Sequence, residues 1–274
     1  MRRCRGLIWQ AWRATHVVDE KHIMVVRYGP KKRYFLISAK LSEHVGALAD
    51  FTKILAIRGV NILEGSIHVS DAPEGHVTLF VEGSDPRTDA GFLEQMLSGS
   101  SFLESVEVFE GRNGMIVDSA SFPLVSDVAG RSILLTTDSL RNLFSHVTEK
   151  WGKDAEELIY QLGVDYGSGL WSGTASAPVS DKESLQQYLH VYGAIGMGRV
   201  TVEKFRDAVP SVDLSVEGLF ECEGPRSPAP RSVFFRGILA GTASSVFGRE
   251  MAAREVACVA AGAKKCQFEV RPKS

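Results

Sequence analysis

The stretch REVACVAAGAKKC, residues 254–266, carries the side chains of this chain best suited to chemistry: Glu255, Cys258 and Cys266. The two cysteines are eight positions apart with Gly262 midway, and the glutamate precedes the first cysteine by three. A hairpin turning at Gly262 makes Cys258 and Cys266 cross-strand partners, with Cα atoms about 4.5–5.5 Å apart. That separation suits two ligands of a tetrahedral zinc ion, and it equally suits a disulfide. Two free thiols packed as small hydrophobes are the third outcome. Glu255 falls on the opposite face of an ideal strand and joins the cysteines only through a bulge or strong twist. Two thiolates and a carboxylate leave zinc one position short, to be filled by water, Cys222 or a histidine. An open position holding water would also be a catalytic arrangement. Nothing near it in sequence offers an acid–base partner, and His146 and His190 fall on expected helices with no motif around them.

The elements that must position these residues form two patterns. Within 33–110, RYFLISAK reads as a strand and ALADFTKILAIRG as a helix ending at Gly59. NILEGSIHVS and GHVTLFVEG read as strands, TDAGFLEQMLSG as a helix capped by Thr88 or Asp89, and FLESVEVFEG as a closing strand. The order β-α-β-β-α-β is the split βαβ, or ferredoxin-like, arrangement. Residues 111–130 read as a linker. From 131 to 272 the pattern becomes three helices, two strands, a nearly all-apolar helix at SVFFRGILAGTASSVFG and a terminal hairpin. The first helix takes Thr137 or Asp138 as its cap, and Gly163, Gly167 and Gly169 on the second permit close helix contacts. The fold class is therefore α+β in both parts. Residues 1–32 are an N-terminal extension, with Leu7, Ile8, Trp9 and Trp12 as the apolar edge of a surface helix or tail.

Composition bounds the function. A chain of 274 residues with 44% hydrophobic and 23% charged residues buries cores without staples and is comfortable as two domains. The formal net charge of −2 argues against a nucleic-acid-binding surface, and four cysteines do not make a disulfide scaffold. No apolar run approaches the roughly 20 residues that span a bilayer, and the basic N-terminus lacks a secretory cleavage site. A cytoplasmic setting is expected.

The stretch LSEHVGALADFTKILAIRGVNI resembles the opening of an ACT domain, a regulatory module that commonly binds amino acids. Gly46 and the Asn61–Ile62 step match its pattern, while Glu43 and Val45 stand in place of the usual aspartate and proline. The resemblance implies an effector site around Glu43, His44, Val45, Gly46 and Asn61, and pairing into a homodimer. Physically, the turn offers close backbone approach at Gly46 and the free N–H groups of the following helix; a plain strand-to-helix turn needs the same glycine.

Residues 131–272 resemble the 4-vinyl reductase domain family, whose fold is shared by ligand-sensing domains of phenol- and aromatic-hydrocarbon-responsive transcription activators. The resemblance rests on GLFECEG, FFRGILAGTASSVFGRE and REVACVAAGAKKCQFEV, in that order. It implies an apolar pocket, lined here by Phe234, Phe235, Ile238, Tyr160, Tyr188 and Trp171, beside a structural zinc. Glu255, Cys258 and Cys266 match three of its four ligands; the fourth position falls on Ser232, with Cys222 the nearby spare thiol on the preceding strand. A tryptophan that contacts phenol in the sensors is replaced by Val216.

The expected function is a cytoplasmic ligand-sensing regulator. It binds an amino-acid-like effector, a small hydrophobic molecule, or both, and passes its output to a partner protein. The alternatives are an enzyme or accessory in tetrapyrrole vinyl reduction and a protein-interaction scaffold. GAIGMGR at 193–199 imitates a nucleotide fingerprint but ends a helix instead of opening one.

Overall fold

The structure, a computed structural model, describes residues 20–42, 45–69, 74–126, 130–174 and 179–273. The N-terminal helix or tail expected within 1–19, and Glu43 and His44, lie outside the described residues. The chain divides after Pro123 into two compact units.

In the first unit, β2 (Tyr34–Ser42), α1 (Ala47–Ile57), β3 (Val60–Val69), β4 (Glu74–Gly83), α2 (Ala90–Ser98) and β5 (Leu103–Glu110) follow one another. The four strands pair antiparallel in the order β3-β4-β2-β5, so the first strand ends up central, as the split βαβ order requires. Asp89 starts α2, its carboxylate accepting the Phe92 N–H at 2.7 Å. The helices cover one face, where Phe51, Leu55, Leu93 and Leu97 pack against Phe35, Ile37, Val77 and Val81. The run Tyr34-Phe35-Leu36-Ile37 is buried on both faces, and a second cover is what such a continuous apolar run demands. Two short strands supply it: β1 (Val26–Tyr28) pairs antiparallel with β6 (Met115–Val117), and Met24, Ile116 and Ala120 pack over Tyr34, Leu36 and Phe80. The stretches read as extension and linker thus each contribute a strand to this unit.

The second unit opens with a short pair, β7 (Val125–Ser126) and β8 (Gly130–Arg131), and continues with α3 (Thr137–Trp151), α4 (Lys153–Thr174), α5 (Lys182–Ala194), β9 (Arg199–Arg206) and β10 (Ser211–Glu217). A 3-10 turn (Phe220–Cys222), α6 (Val233–Phe247), β11 (Met251–Ala257) and β12 (Cys266–Pro272) complete it. The sheet runs β11-β12-β10-β9, all antiparallel. The cap of α3 is Thr136 and not Thr137 or Asp138, because its extended backbone lets Oγ1 accept the Ser139 N–H. Cys222 lies on the 3-10 turn and not on a strand, since β10 has already ended at Glu217.

Helix α6 is buried along its length and touches α4 backbone to backbone. A Cβ on Gly237 would fall 2.0 Å from the Tyr160 carbonyl oxygen, and one on Gly241 2.1 Å from that of Val164. From the other side, Gly163 and Gly167 meet the carbonyls of Phe234 and Ile238 at 2.1 and 2.3 Å. Gly169, expected to share this contact, instead has nothing within 4 Å of its would-be Cβ; it lies off the contacting stripe.

These positions separate packing from propensity. Gly237→Ala should destabilise the second unit by about 3 kcal/mol, because the helix axes must part to admit the methyl group. Gly169→Ala should stabilise it by about 0.5–1 kcal/mol through helix propensity alone. Urea unfolding of the full chain checks both.

Candidate functional site

The terminal hairpin is irregular where the site needs it. Strands β11 and β12 pair regularly from Met251↔Pro272 to Glu255↔Phe268, then shift so that Ala257 faces Gln267. Val256 is the extra residue, and it turns outward, 45% exposed. The bulge changes the parity of the strand, so Glu255 and Cys258, three residues apart, both face inward. Cys266 opens β12, one step beyond the Ala257↔Gln267 pair and so level with Cys258.

Cys222 arrives from the 3-10 turn. Its Sγ lies 3.5 Å from that of Cys258 and 3.4 Å from that of Cys266, and the three are free thiols. Together with Glu255 they place four ligand atoms within 4.8 Å of one another, all on buried residues. The Val259 N–H donates to Cys266 Sγ at 3.4 Å. Glu255 Oε2 accepts the Ser232 hydroxyl, and the Ser232 N–H at 3.4 Å. Its other oxygen, Oε1, is buried without a hydrogen-bond partner. A buried carboxylate oxygen so left carries a desolvation penalty of a few kcal/mol unless a cation meets it.

The thiols tell the same story. The hydrogen bond with Cys266, then burial, push Cys222 well above the ordinary thiol value. Burial raises Cys258, while the hydrogen bond from Cys222 lowers Cys266. Three thiols and a carboxyl pressed together resist ionising side by side, and a divalent cation reverses that balance. Soft sulfur donors with one oxygen fit a tetrahedral metal ion, so the residues present suit such a group.

The turn that delivers Cys222 is itself anchored. Arg141 of α3 donates to the Phe220 carbonyl at 3.1 Å and to Glu223 at 2.8 Å. Glu221, buried, accepts the N–H groups of Phe234 and Phe235 at 3.0 and 2.7 Å and so caps α6 from outside its own segment. Burial pushes its carboxyl up to about 8, against the downward pull of those two donors. Sequence reading missed Glu221 because the helix it caps begins only at Val233.

A small apolar cavity of about 10 Å³ lies between α5, α6 and the sheet, lined by Leu185, Leu189, Val212, Leu239, Ala243 and Phe247 among others. Its one hydroxyl belongs to Thr242, which is hydrogen-bonded to the Tyr192 hydroxyl and the Gly167 carbonyl. None of Phe234, Phe235, Ile238, Tyr160, Tyr188 and Trp171 is in that lining. Phe235 and Ile238 are fully buried core. Phe234 packs on Phe144 and Tyr166, Tyr160 lies under Arg236, and Trp171 meets Tyr188 edge-on at 4.5 Å. In the first unit, Gly46 takes a left-handed φ of 103° just before α1, Val45 is fully exposed, and Asn61 faces solvent on β3 opposite Glu82.

Comparison with known proteins adds a family match: the model of the 4-vinyl reductase domain matches residues 212–272. Among curated proteins, none matches the chain. Among solved structures, the phenol-responsive sensory domain of the transcription activator PoxR with phenol is similar at 25% identity and a TM-score of 0.46, over 52% of this chain and 77% of that one. A vinyl-4-reductase family protein from Methanocaldococcus jannaschii is similar at 23% identity and a TM-score of 0.37, over 52% and 85%. A trafficking protein particle complex subunit 3 from Naegleria fowleri, covalently bound to palmitic acid, is similar at 13% identity and a TM-score of 0.40, over 50% and 95%.

Glu221→Ala should destabilise the second unit by about 2 kcal/mol or more, because two buried N–H groups at the start of α6 lose their acceptor. Urea unfolding with a chelator present checks this without a metal contribution.

Proposed function

We propose that the chain is a ligand-sensing regulatory protein whose second unit binds a small, neutral, hydrophobic molecule. The observation that carries this reading is the cavity: its lining is apolar apart from Thr242 and holds no titratable side chain. Such a lining suits binding and offers nothing to a reaction. The family match over 212–272 spans strands, helix and hairpin that border the cavity and supports the same reading. At its present volume the cavity admits no organic ligand, so entry must displace flexible side chains such as Leu239 and Phe247.

Zinc, held through Glu255, Cys258 and Cys266, has a structural role in this reading. Bound there it supplies folding free energy and no reaction chemistry. The first unit is a regulatory module that takes an amino-acid-like effector at the turn of Glu43, His44, Val45 and Gly46 beside Asn61. It pairs with a second copy along β3, an edge strand whose Ile67 and Val69 are each 54% exposed. The opposite edge, β5, carries Glu104, Glu107 and Glu110, which disfavour self-pairing. No helix among the described residues is long and apolar enough to cross a membrane; a cytoplasmic location and a separate output protein belong to the proposal.

Thermal unfolding of the full chain tests the reading. Neutral hydrophobic probes such as indole or 1-hexanol should raise Tm, by the equivalent of about 2.7 kcal/mol at a hundredfold excess over Kd. Ala243→Leu, which fills the cavity, should abolish that shift, and amino acids should raise Tm in the wild-type chain and in this variant alike. No stabilisation by either class would sink the sensing role.

A further inference from the structure

The fourth corner of the thiol cluster is where this chain departs from the ligand set its resemblance implies, because the expected cysteine is Ser232. We infer that Cys222, delivered by the 3-10 turn, is the fourth metal ligand, and that Ser232 has become a positioning residue that aims Glu255 at the ion.

Three observations on neighbouring residues interlock. The Cys222 sulfur already stands 3.5 and 3.4 Å from its two partners. A tetrahedral ion with metal–sulfur bonds of about 2.3 Å holds sulfurs about 3.7 Å apart, so admission of the metal asks for movements of only a few tenths of an ångström. Ser232 occupies the N-cap of α6, where a serine hydroxyl ordinarily accepts a first-turn N–H, yet it makes no such bond. Its hydroxyl and its N–H both go to Glu255 Oε2, which leaves Oε1 as the oxygen without a partner. The N–H groups of Phe234 and Phe235 are served instead by Glu221, the residue next to Cys222. The three roles are thus permuted as a set. Glu221 does the capping, Ser232 is released to hold the carboxylate, and Cys222 takes the metal corner. The turn is stiff enough for that duty because Arg141 clamps the residues on either side of Glu221 and Cys222, at the Phe220 carbonyl and the Glu223 carboxylate.

This inference rests on the zinc reading and is independent of ligand sensing. X-ray absorption of the unmodified, zinc-loaded chain should count three sulfurs and one lighter atom around the ion. Two sulfurs would overturn the inference and leave the zinc reading standing; no zinc uptake would remove both and leave sensing untouched. Cobalt(II) loading gives the second readout. Cys222→Ser should lower the thiolate-to-cobalt charge-transfer intensity by a third, and unchanged intensity would overturn the ligand assignment. Should that variant not fold, the sulfur count on the unmodified chain decides. Ser232→Ala should keep the charge-transfer intensity, shift the ligand-field bands and weaken zinc binding about tenfold, with Ser232→Thr restoring both. Bands and affinity unchanged in Ser232→Ala would overturn the positioning role.

Discussion

Helix α6 stands where it does because four glycines let its backbone touch that of α4. Gly163, Gly167, Gly237 and Gly241 each meet a carbonyl of the opposing helix at a distance no side chain would permit. Direct backbone contact leaves little freedom in axial position or rotation, since every ångström of travel brings a carbonyl against a Cα. Both features of interest in the second unit hang from this fixed rod. Its N-terminus presents Ser232 to the thiol cluster, and its middle presents Leu239, Thr242 and Ala243 to the cavity. Ser168 and Thr242 add side-chain hydrogen bonds across the same contact.

At the N-terminus of that rod, polar burial is dense. Glu221, Ser232 and Glu255 are buried within a few residues of three buried thiols. Most of these groups answer one another: Glu221 takes two N–H groups, Ser232 takes Glu255, and Arg141 holds the turn. What remains unanswered is one carboxylate oxygen and an arrangement of sulfurs in which burial keeps Cys222 and Cys258 protonated. Buried groups of this kind persist where something repays their desolvation, and a shared cation does so for all four donors at once.

The outline of the fold was legible in the sequence; its fine structure was not. The split βαβ order followed from element periods, and the α6 helix from an apolar run with no polar face. The glycines at 163, 167, 237 and 241 announced close approach, but Gly169 could not be told from them, because helical phase decides and spacing of one or two residues does not fix it. The second cover over Leu36 and Phe80 escaped notice because it comes from two short strands far apart in the chain. At the site, Glu255, Cys258 and Cys266 declared themselves by local spacing, with the bulge identified as the condition for their meeting. Cys222 read as a strand residue because the run before it is strand-like, and the structure ends that strand already at Glu217. The cavity lining was misjudged for a simpler reason: large aromatic side chains were weighted over the aliphatic ones that share the inner face of α6.

The bulge at Val256 has a consequence for how such a centre is gained or lost. Side chains on a strand alternate, so inserting or deleting one residue exchanges the two faces for everything beyond it. Here that exchange is built in, and the glutamate and the cysteine belong to opposite reading frames of the same strand, reconciled by a single solvent-facing valine. The donor set is therefore encoded as much by residue count as by residue type. A chain could keep every cysteine and the glutamate, lose one surface residue, and no longer present four donors to one point.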